Sequence, residues 1–271
     1  MEVILLDIRD FLFSPLEGKS YLFEIKARES GVLAGARRLK EEALRIGLFI
    51  NWVGEDGMIL GEEEKVFQAI GDAWQIALSE ERLLGLISKV SGVATASARM
   101  VSLAKGRIRV VCGAWKKVPV EIRGELREAI KVGGAGIRIL EEPFVYLDKN
   151  YIRMFGGLAP AVRRAKEIEG RVVVVQIRGE SSSLEGETME ALREGADLLM
   201  VDTGRLEDFI RVRGIVIREG FQGRVKLAFS GGVKEKDLER LIDAGVDIVD
   251  VGRAIIDAPL LDFSLDVVRC L

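Results

Sequence analysis

From Ile108 onward, short apolar runs alternate with amphipathic stretches, a pattern that few folds accept. The runs are "IRVVC" (108–112), "IRIL" (137–140), "FVYL" (144–147), "VVVVQI" (172–177), "DLLMV" (197–201), "VKLAF" (225–229) and "DIVDV" (247–251). Between most of them lie segments with helical spacing: 121–132, 158–168, 187–194, 205–219 and 234–244. Strand followed by helix, repeated, builds a mostly parallel sheet, either as a barrel or doubly wound. Seven candidate strands are one short of a closed barrel, so an open, incomplete α/β barrel is expected over 106–263. Within it, "GESSSLEGE" (179–187) reads as an exposed loop insertion.

Residues 1–105 follow a different pattern and are expected to form a separate α/β domain. "YLFEIKARESGVLAG" (21–35) alternates like a strand that runs into a turn, and "ARRLKEEALRIG" (36–47) has helical spacing with a glycine at its end. "FINWVGEDGMILGEEEKVFQAIG" (49–71) reads as short strands joined by glycine-containing turns. The stretch 77–106 is a long helix, with Ser79 as its expected N-cap and Gly85 and Gly92 marking close packing or a break.

Composition removes several kinds of chemistry. The chain has no histidine, which excludes Ser-His-Asp and Cys-His catalysis and imidazole zinc sites. Acid–base work is left to carboxylates, lysine and tyrosine. Two cysteines, Cys112 and Cys270, cannot make a disulfide framework. A net charge of -3 with both signs interspersed argues against nucleic acid as partner. No apolar run reaches membrane-span length and no signal pattern opens the chain, so a cytoplasmic protein is expected.

In such barrels, working residues sit at the C-terminal strand ends, and phosphate often binds after the last two strands. "FSGGVKEKDL" places Ser230, Gly231 and Gly232 after one strand, and "DVGRAI" places Gly252 and Arg253 after the next. Glycines let backbone N–H groups approach an anion; two tight turns without a ligand are the alternative. Asp202 in "LLMVDTG" could hold Mg²⁺ or ribose hydroxyls, or cap the helix over 205–219. Lys116 and Lys117 in "CGAWKKVP" could face a phosphate or carboxylate, or be solvated. Asp148, Lys149 and Asn150 read as a polar turn before they read as site residues.

Several blocks in order resemble one family. "ARESGVLAG" (27–35), "SEERLLGLISKVSGVATASARMV" (79–101), "EGADLLMVD" (194–202), "SGG" (230–232), "GVDIVDVG" and "APLLDFSLD" (245–266) are similar to quinolinate phosphoribosyltransferases, also called nicotinate-nucleotide pyrophosphorylases, and to their ModD-type relatives. The resemblance implies an N-terminal α/β sandwich, joined by a C-terminal helix at 264–271, followed by the open barrel. It also implies a homodimer or higher oligomer, and transfer of phosphoribosyl from Mg-phosphoribosyl pyrophosphate to a pyridine nitrogen. Matched to the family's blocks, Lys116 and Asp202 would be catalytic, with Asp202 at the metal. Arg82, Arg99, Arg138 and Lys117 would bind substrate, Arg82 by reaching the neighbouring subunit's site. Ser230, Gly231, Gly232 and Gly252 match the family's phosphate loops, and Arg253, from its place after the last strand, would bind phosphate with them.

The sequence also departs from the family's blocks. Trp115 stands where the "DTRK" block has arginine, and both block histidines are missing. Asp148 opens the block that reads "KDNH" elsewhere, and Gln176 stands near a carboxylate position. The changes fall on the side expected to grip a dicarboxylate, while the phosphate-side elements are retained. Trp115 could stack on a flat acceptor or belong to the core. Two readings follow: a transferase acting on quinolinate or a related aromatic nitrogen acceptor, or a catalytically degenerate member that binds a phosphorylated ligand or a protein.

Overall fold

The computed structural model describes residues 7–271. The chain divides into two compact units. The first contains the described residues through Ala98 together with Gly124–Gly133 and Asp257–Leu271; the second contains Arg99–Arg123 and Gly134–Ile256.

The first unit is built on a four-stranded antiparallel sheet. Its strands are β1 (Tyr21–Ala27), β3 (Phe49–Val53), β5 (Lys65–Gly71) and β12 (Phe263–Cys270), in the order β12-β1-β5-β3. A two-stranded ladder, β2 (Gly31–Val32) with β4 (Ile59–Leu60), stands beside it. Helices α1 (Ile8–Phe13), α2 (Ala36–Ile46) and most of α3 (Ala73–Ala104) belong to this unit. Phe23 and Ile25 from β1, Phe67 from β5, Leu39 from α2 and Leu83 and Ile87 from α3 form one fully buried core.

Two expectations are corrected here. Residues 264–271 are not a helix: β12 pairs antiparallel with β1 from Cys270↔Tyr21 to Phe263↔Ala27. The alternation Phe263, Leu265, Val267 suits a strand, and pairing satisfies the backbone along β1's outer edge. Ser79 is not the N-cap of α3, which starts six residues earlier at Ala73. There Asp72 Oδ1 accepts the Gln75 N–H at 2.8 Å and Gln75 Oε1 accepts the Asp72 N–H at 3.0 Å, a reciprocal cap. Ser79, a turn inside, donates to the Gln75 carbonyl.

The second unit contains six parallel strands, β6 (Arg109–Val111), β7 (Phe144–Leu147), β8 (Val172–Ile177), β9 (Leu198–Val201), β10 (Lys226–Ser230) and β11 (Ile248–Asp250). Their order is β6-β11-β10-β9-β8-β7. Helices α4 (Val120–Val132), α5 (Lys149–Met154), α6 (Leu158–Lys166), α7 (Leu184–Arg193), α8 (Leu206–Arg218), α9 (Leu238–Asp243) and α10 (Arg253–Ile256) link or follow them. Residues 124–132 of α4 belong to the first unit. Val111, Val174, Leu198, Met200, Ala228 and Ile248 fill the sheet's buried face. The curled, open parallel sheet agrees with the expected incomplete barrel, with one strand fewer. Residues 137–140 make no ladder; a single bridge joins Gly136 to Val111, and the two edge strands stay apart. The stretch 179–187 is only half loop, since α7 begins at Leu184.

The interior glycines of α3 differ in their surroundings. A Cβ on Gly85 would meet nothing within 4 Å, whereas one on Gly92 would collide with the Pro259 backbone carbonyl. Gly85→Ala is therefore expected to raise stability by up to about 1 kcal/mol through helix propensity. Gly92→Ala should lower it, because a backbone atom cannot give way as a side chain does. Chemical denaturation of the two variants measures both signs.

Candidate functional site

Because all six strands run parallel, their C-terminal ends open onto one rim. β6 is followed by Gly113 and a 3₁₀ turn, Ala114–Lys117, and β7 by Asp148. β8 ends near Gln176 and Arg178, β9 delivers Asp202, β10 delivers Ser230, and β11 delivers Asp250. Register sets the neighbours: Ser230 lies opposite Asp250, and Gln176 opposite Met200.

Asp202 sits in a polar network. Its Oδ2 accepts Gln176 Nε2 at 2.6 Å and Arg178 Nη1 at 2.8 Å. Gln176 Oε1 in turn accepts the Lys149 N–H at 2.9 Å, so this one amide ties the ends of β7, β8 and β9 together. Arg178 also donates to Glu180 at 2.5 Å and to the Asp202 carbonyl at 3.0 Å. The capping alternative for Asp202 is excluded, because α8 begins at Leu206 with Arg205 in the N-cap position. Asp148 is a helix cap, its Oδ1 accepting the N–H groups of Asn150 and Tyr151.

Backbone conformation and close approach explain the glycines after β10. Gly231 and Gly232 have φ of 115° and 79°, values that L side chains rarely adopt. A Cβ on Gly231 would strike the Gly204 backbone, whose N–H donates to the Ser230 carbonyl at 3.1 Å. The amides of Gly231, Gly232 and Gly252 donate to no acceptor among the described residues. On the outer side, Gly231 and Gly232 border a cavity of about 230 Å³ with Arg205 and Arg240.

A second rim cavity of about 310 Å³ is lined by Trp115, Phe144 and Tyr146, by Lys116 and Arg138, and by Asp250. Trp115 is half-buried and its Nε1 donates to the Ile137 carbonyl at 2.9 Å. Arg138 lies over the Phe144 ring, 5.0 Å from its centroid. Asp250 Oδ1 accepts the Gly113 N–H at 2.9 Å. Burial pushes the Asp250 carboxyl above its ordinary value, against the opposing pull of the Gly113 N–H and Lys116. Burial likewise raises the Tyr146 hydroxyl, helped by the negative charges of Asp202 and Asp250. Buried Cys112 is pushed up to about 12, chiefly by desolvation, so it carries no thiolate at neutral pH.

Of the residues expected at the site, Lys116 and Arg138 share this cavity, and Ser230, Gly231, Gly232, Gly252 and Asp202 stand at the same rim. Lys117 is exposed on the 3₁₀ turn and does not line the cavity; Arg253 opens α10. Arg99 pairs with Glu235 at 3.4 Å, and in the first unit Arg82 pairs with Glu42 at 3.3 Å. Asp250, Tyr146 and Arg178 are site residues that the sequence pattern does not single out. Asp250 is hidden inside "DIVDV", although a charged residue closing an apolar strand is a signal. A larger cavity in the first unit, about 510 Å³, is lined by Arg37, Arg38 and Asp56. Arg38 pairs with Glu125, Arg37 pairs with Glu41, and Asp56 accepts the Ala36 N–H, so these three side chains are already engaged.

The segment after β8 is organised by Glu187, a buried carboxylate on α7. Its Oε2 accepts the N–H groups of Arg178 and Gly179 at 2.8 and 2.7 Å, and its Oε1 accepts Ser181 N–H and Oγ–H, each at 2.8 Å. Burial raises its pKa, but these donors outweigh burial and hold it below the ordinary 4.5. A depressed folded-state pKa contributes stability above the unfolded value and loses it as pH falls through the folded one. Glu187→Gln should therefore cost about 1–3 kcal/mol at pH 7. In thermal melts the gap from wild type should close below about pH 4.5, the group's ordinary value; a gap constant with pH would refute the assignment.

Known proteins resemble this chain over most of its length. Residues 93–266 match the C-terminal domain of quinolinate phosphoribosyl transferase. The probable carboxylating nicotinate-nucleotide pyrophosphorylase of Methanothermobacter thermautotrophicus is 27% identical over 254 residues, covering 92% of this chain and 89% of that protein. The carboxylating nicotinate-nucleotide pyrophosphorylase of Rattus norvegicus is 29% identical over 242 residues, covering 88% and 79%. Among solved structures, the nicotinate-nucleotide pyrophosphorylase from Pyrococcus furiosus shares the fold with a TM-score of 0.82 at 23% identity, over 100% of this chain and 79% of that one. With the family match running across well over half its length, the chain belongs to the quinolinate phosphoribosyl transferase family.

Proposed function

We propose that this protein transfers a phosphoribosyl group from phosphoribosyl pyrophosphate to an aromatic nitrogen acceptor, the reaction type of its relatives. On quinolinate the product would be nicotinate mononucleotide. The observation that carries the reading is the placement at one rim of unpaired glycine amides beside a cavity with aromatic walls and two cations. Relatives from archaea, bacteria and mammals share the pyrophosphorylase name, which favours catalysis over a binding-only role.

In the transfer, the ring nitrogen's lone pair forms a bond to C1′ while the C1′–O bond breaks, and the electron pair leaves with diphosphate. On quinolinate, the 2-carboxylate then leaves as CO₂, and the electron pair left on ring C2 takes up a proton from solvent. The protein's contribution is electrostatic, with fixed cations placed where negative charge grows. Lys116 would meet the departing diphosphate, and Asp202 the ribose hydroxyls. The amides of Gly231, Gly232 and Gly252, with Ser230 and Arg253, would hold the 5′-phosphate. Arg138 would meet the acceptor inside the cavity, while Lys117 and Arg99, which do not line it, would add positive potential only from farther away.

Magnesium is expected to enter with the donor. Among the described residues no group of three Cys, Asp or Glu side chains could hold a metal ion. Asp202 Oδ2 already accepts Gln176 and Arg178. The residues therefore do not form a resident metal site, and such an ion would take its ligands from the donor's oxygens and water. A homodimer completing each site with Arg82 of its neighbour, working in the cytoplasm, belongs to the same proposal; no described helix is long and apolar enough to cross a membrane.

Calorimetric titration with phosphoribosyl pyrophosphate and Mg²⁺ tests the reading, and failure to bind would overturn it. In a diphosphate-release assay, Lys116→Ala should lower turnover about 10²- to 10³-fold with an unchanged melting temperature. Asp202→Asn should abolish turnover while keeping the fold.

A further inference from the structure

The rim cavity contains one acid that the transfer reaction does not use. Asp250 ends β11 and lines the cavity with Trp115, Tyr146, Lys116 and Arg138. Its Oδ1 is held by the Gly113 N–H at 2.9 Å, while its Oδ2 accepts no hydrogen bond from the described residues. No ion pair closes on it within the described residues, although Lys116 lines the same cavity and opposes its charge. Lys116 therefore faces the protein's own carboxylate before any substrate enters. Arg138 rests on the Phe144 ring without a carboxylate partner among the described residues. The Trp115 N–H is taken by the Ile137 carbonyl, so that ring presents a surface and not a donor.

These residues specify what an occupant must bring. One cation without a carboxylate partner asks for one substrate carboxylate, because a charge taken from water needs an opposite partner. One free carboxylate oxygen asks for a hydrogen-bond donor. Flat walls ask for a planar ring. A ring with two adjacent carboxylates satisfies the first demand and violates the second, since it turns an acceptor and a negative charge toward Asp250.

We propose that Asp250 sets acceptor specificity, selecting an aromatic nitrogen heterocycle with a single carboxylate and a neighbouring N–H or amino donor, and disfavouring a vicinal dicarboxylate. This rests on the phosphoribosyl-transfer reading and narrows its acceptor class. Asp250 works by differential pairing, in which the wrong substrate leaves buried charge uncompensated. Removing the acid should therefore relax the choice and not merely weaken binding.

Two probes isolate the interaction. Quinolinate and 2-aminonicotinate share the pyridine ring and the 3-carboxylate, and differ only in carrying carboxylate or amino at position 2. Calorimetry on the intact wild-type protein should show 2-aminonicotinate binding at least tenfold more tightly than quinolinate. In Asp250→Ser and Asp250→Asn that ratio should fall below about twofold, mainly through a gain in quinolinate affinity, with melting temperatures confirming the fold of both. Tighter wild-type binding of quinolinate, no binding of either ring, or an unchanged ratio in both variants would overturn the proposal. Donor titration without any acceptor tests the phosphoribosyl reading separately, so the two ideas fail by different results.

Discussion

The parallel register of the six-stranded sheet is the constraint on which the second unit depends. A parallel ladder brings every C-terminal strand end to the same side, and each further pair fixes which ends become neighbours. The Ser230↔Asp250 and Gln176↔Met200 pairings place four strand ends within reach of one small ligand. A one-residue slip in β11 would turn Asp250 from the cavity to the opposite face, since strand side chains alternate. The apolar residues of the buried face oppose that slip: Val111, Leu198, Ala228 and Ile248 share one buried cluster, and a slipped β11 would turn Ile248 out of it.

Two further interactions hold the rim once the register is set. Gln176 bonds to Lys149 N–H on one side and Asp202 on the other, spanning three strand ends through a neutral side chain. A carboxylate in the same place could accept the Lys149 N–H but would repel Asp202, which glutamine and Arg178 both donate to. The loop after β10 is held by close approach: Gly231 lies against Gly204 where no Cβ fits. That contact leaves amides unpaired in a left-handed turn, a costly arrangement for a loop with no ligand.

Much of this architecture is legible in the sequence because it is written locally. Strand–helix alternation points to the open barrel, and "SGG" marks the tight turn after β10 through the backbone freedom of glycine. What escapes a reading of the sequence depends on pairing across the chain. The 264–271 segment is a helix by resemblance alone, although its period-two pattern needs only β1's free edge to become a strand. The start of α3 is readable in "DAWQ", an acid followed three residues later by glutamine, but Ser79 is a more familiar cap and draws the boundary inward. Asp250 and Tyr146 cannot be placed as neighbours from sequence, since their strands lie at positions two and six of a sheet whose order is not the chain order.

The absence of histidine also makes sense in this setting. The transfer step, with a developing diphosphate charge and a ring nitrogen's own lone pair, needs no protein group poised to exchange protons near neutrality. It needs fixed positive charges in a partly dry place, and lysine and arginine carry these. The cost is that specificity must also be electrostatic, because a cavity that attracts anions attracts them with little discrimination. An acid among the cations is one solution. By opposing Lys116 and leaving Arg138 unengaged, Asp250 lowers the cavity's appetite for negative charge and adds a directional demand. Trp115 extends the same logic, since an aromatic wall selects shape where a cation would select charge. The changes around the acceptor then read as one consistent shift from counting carboxylates to recognising a ring.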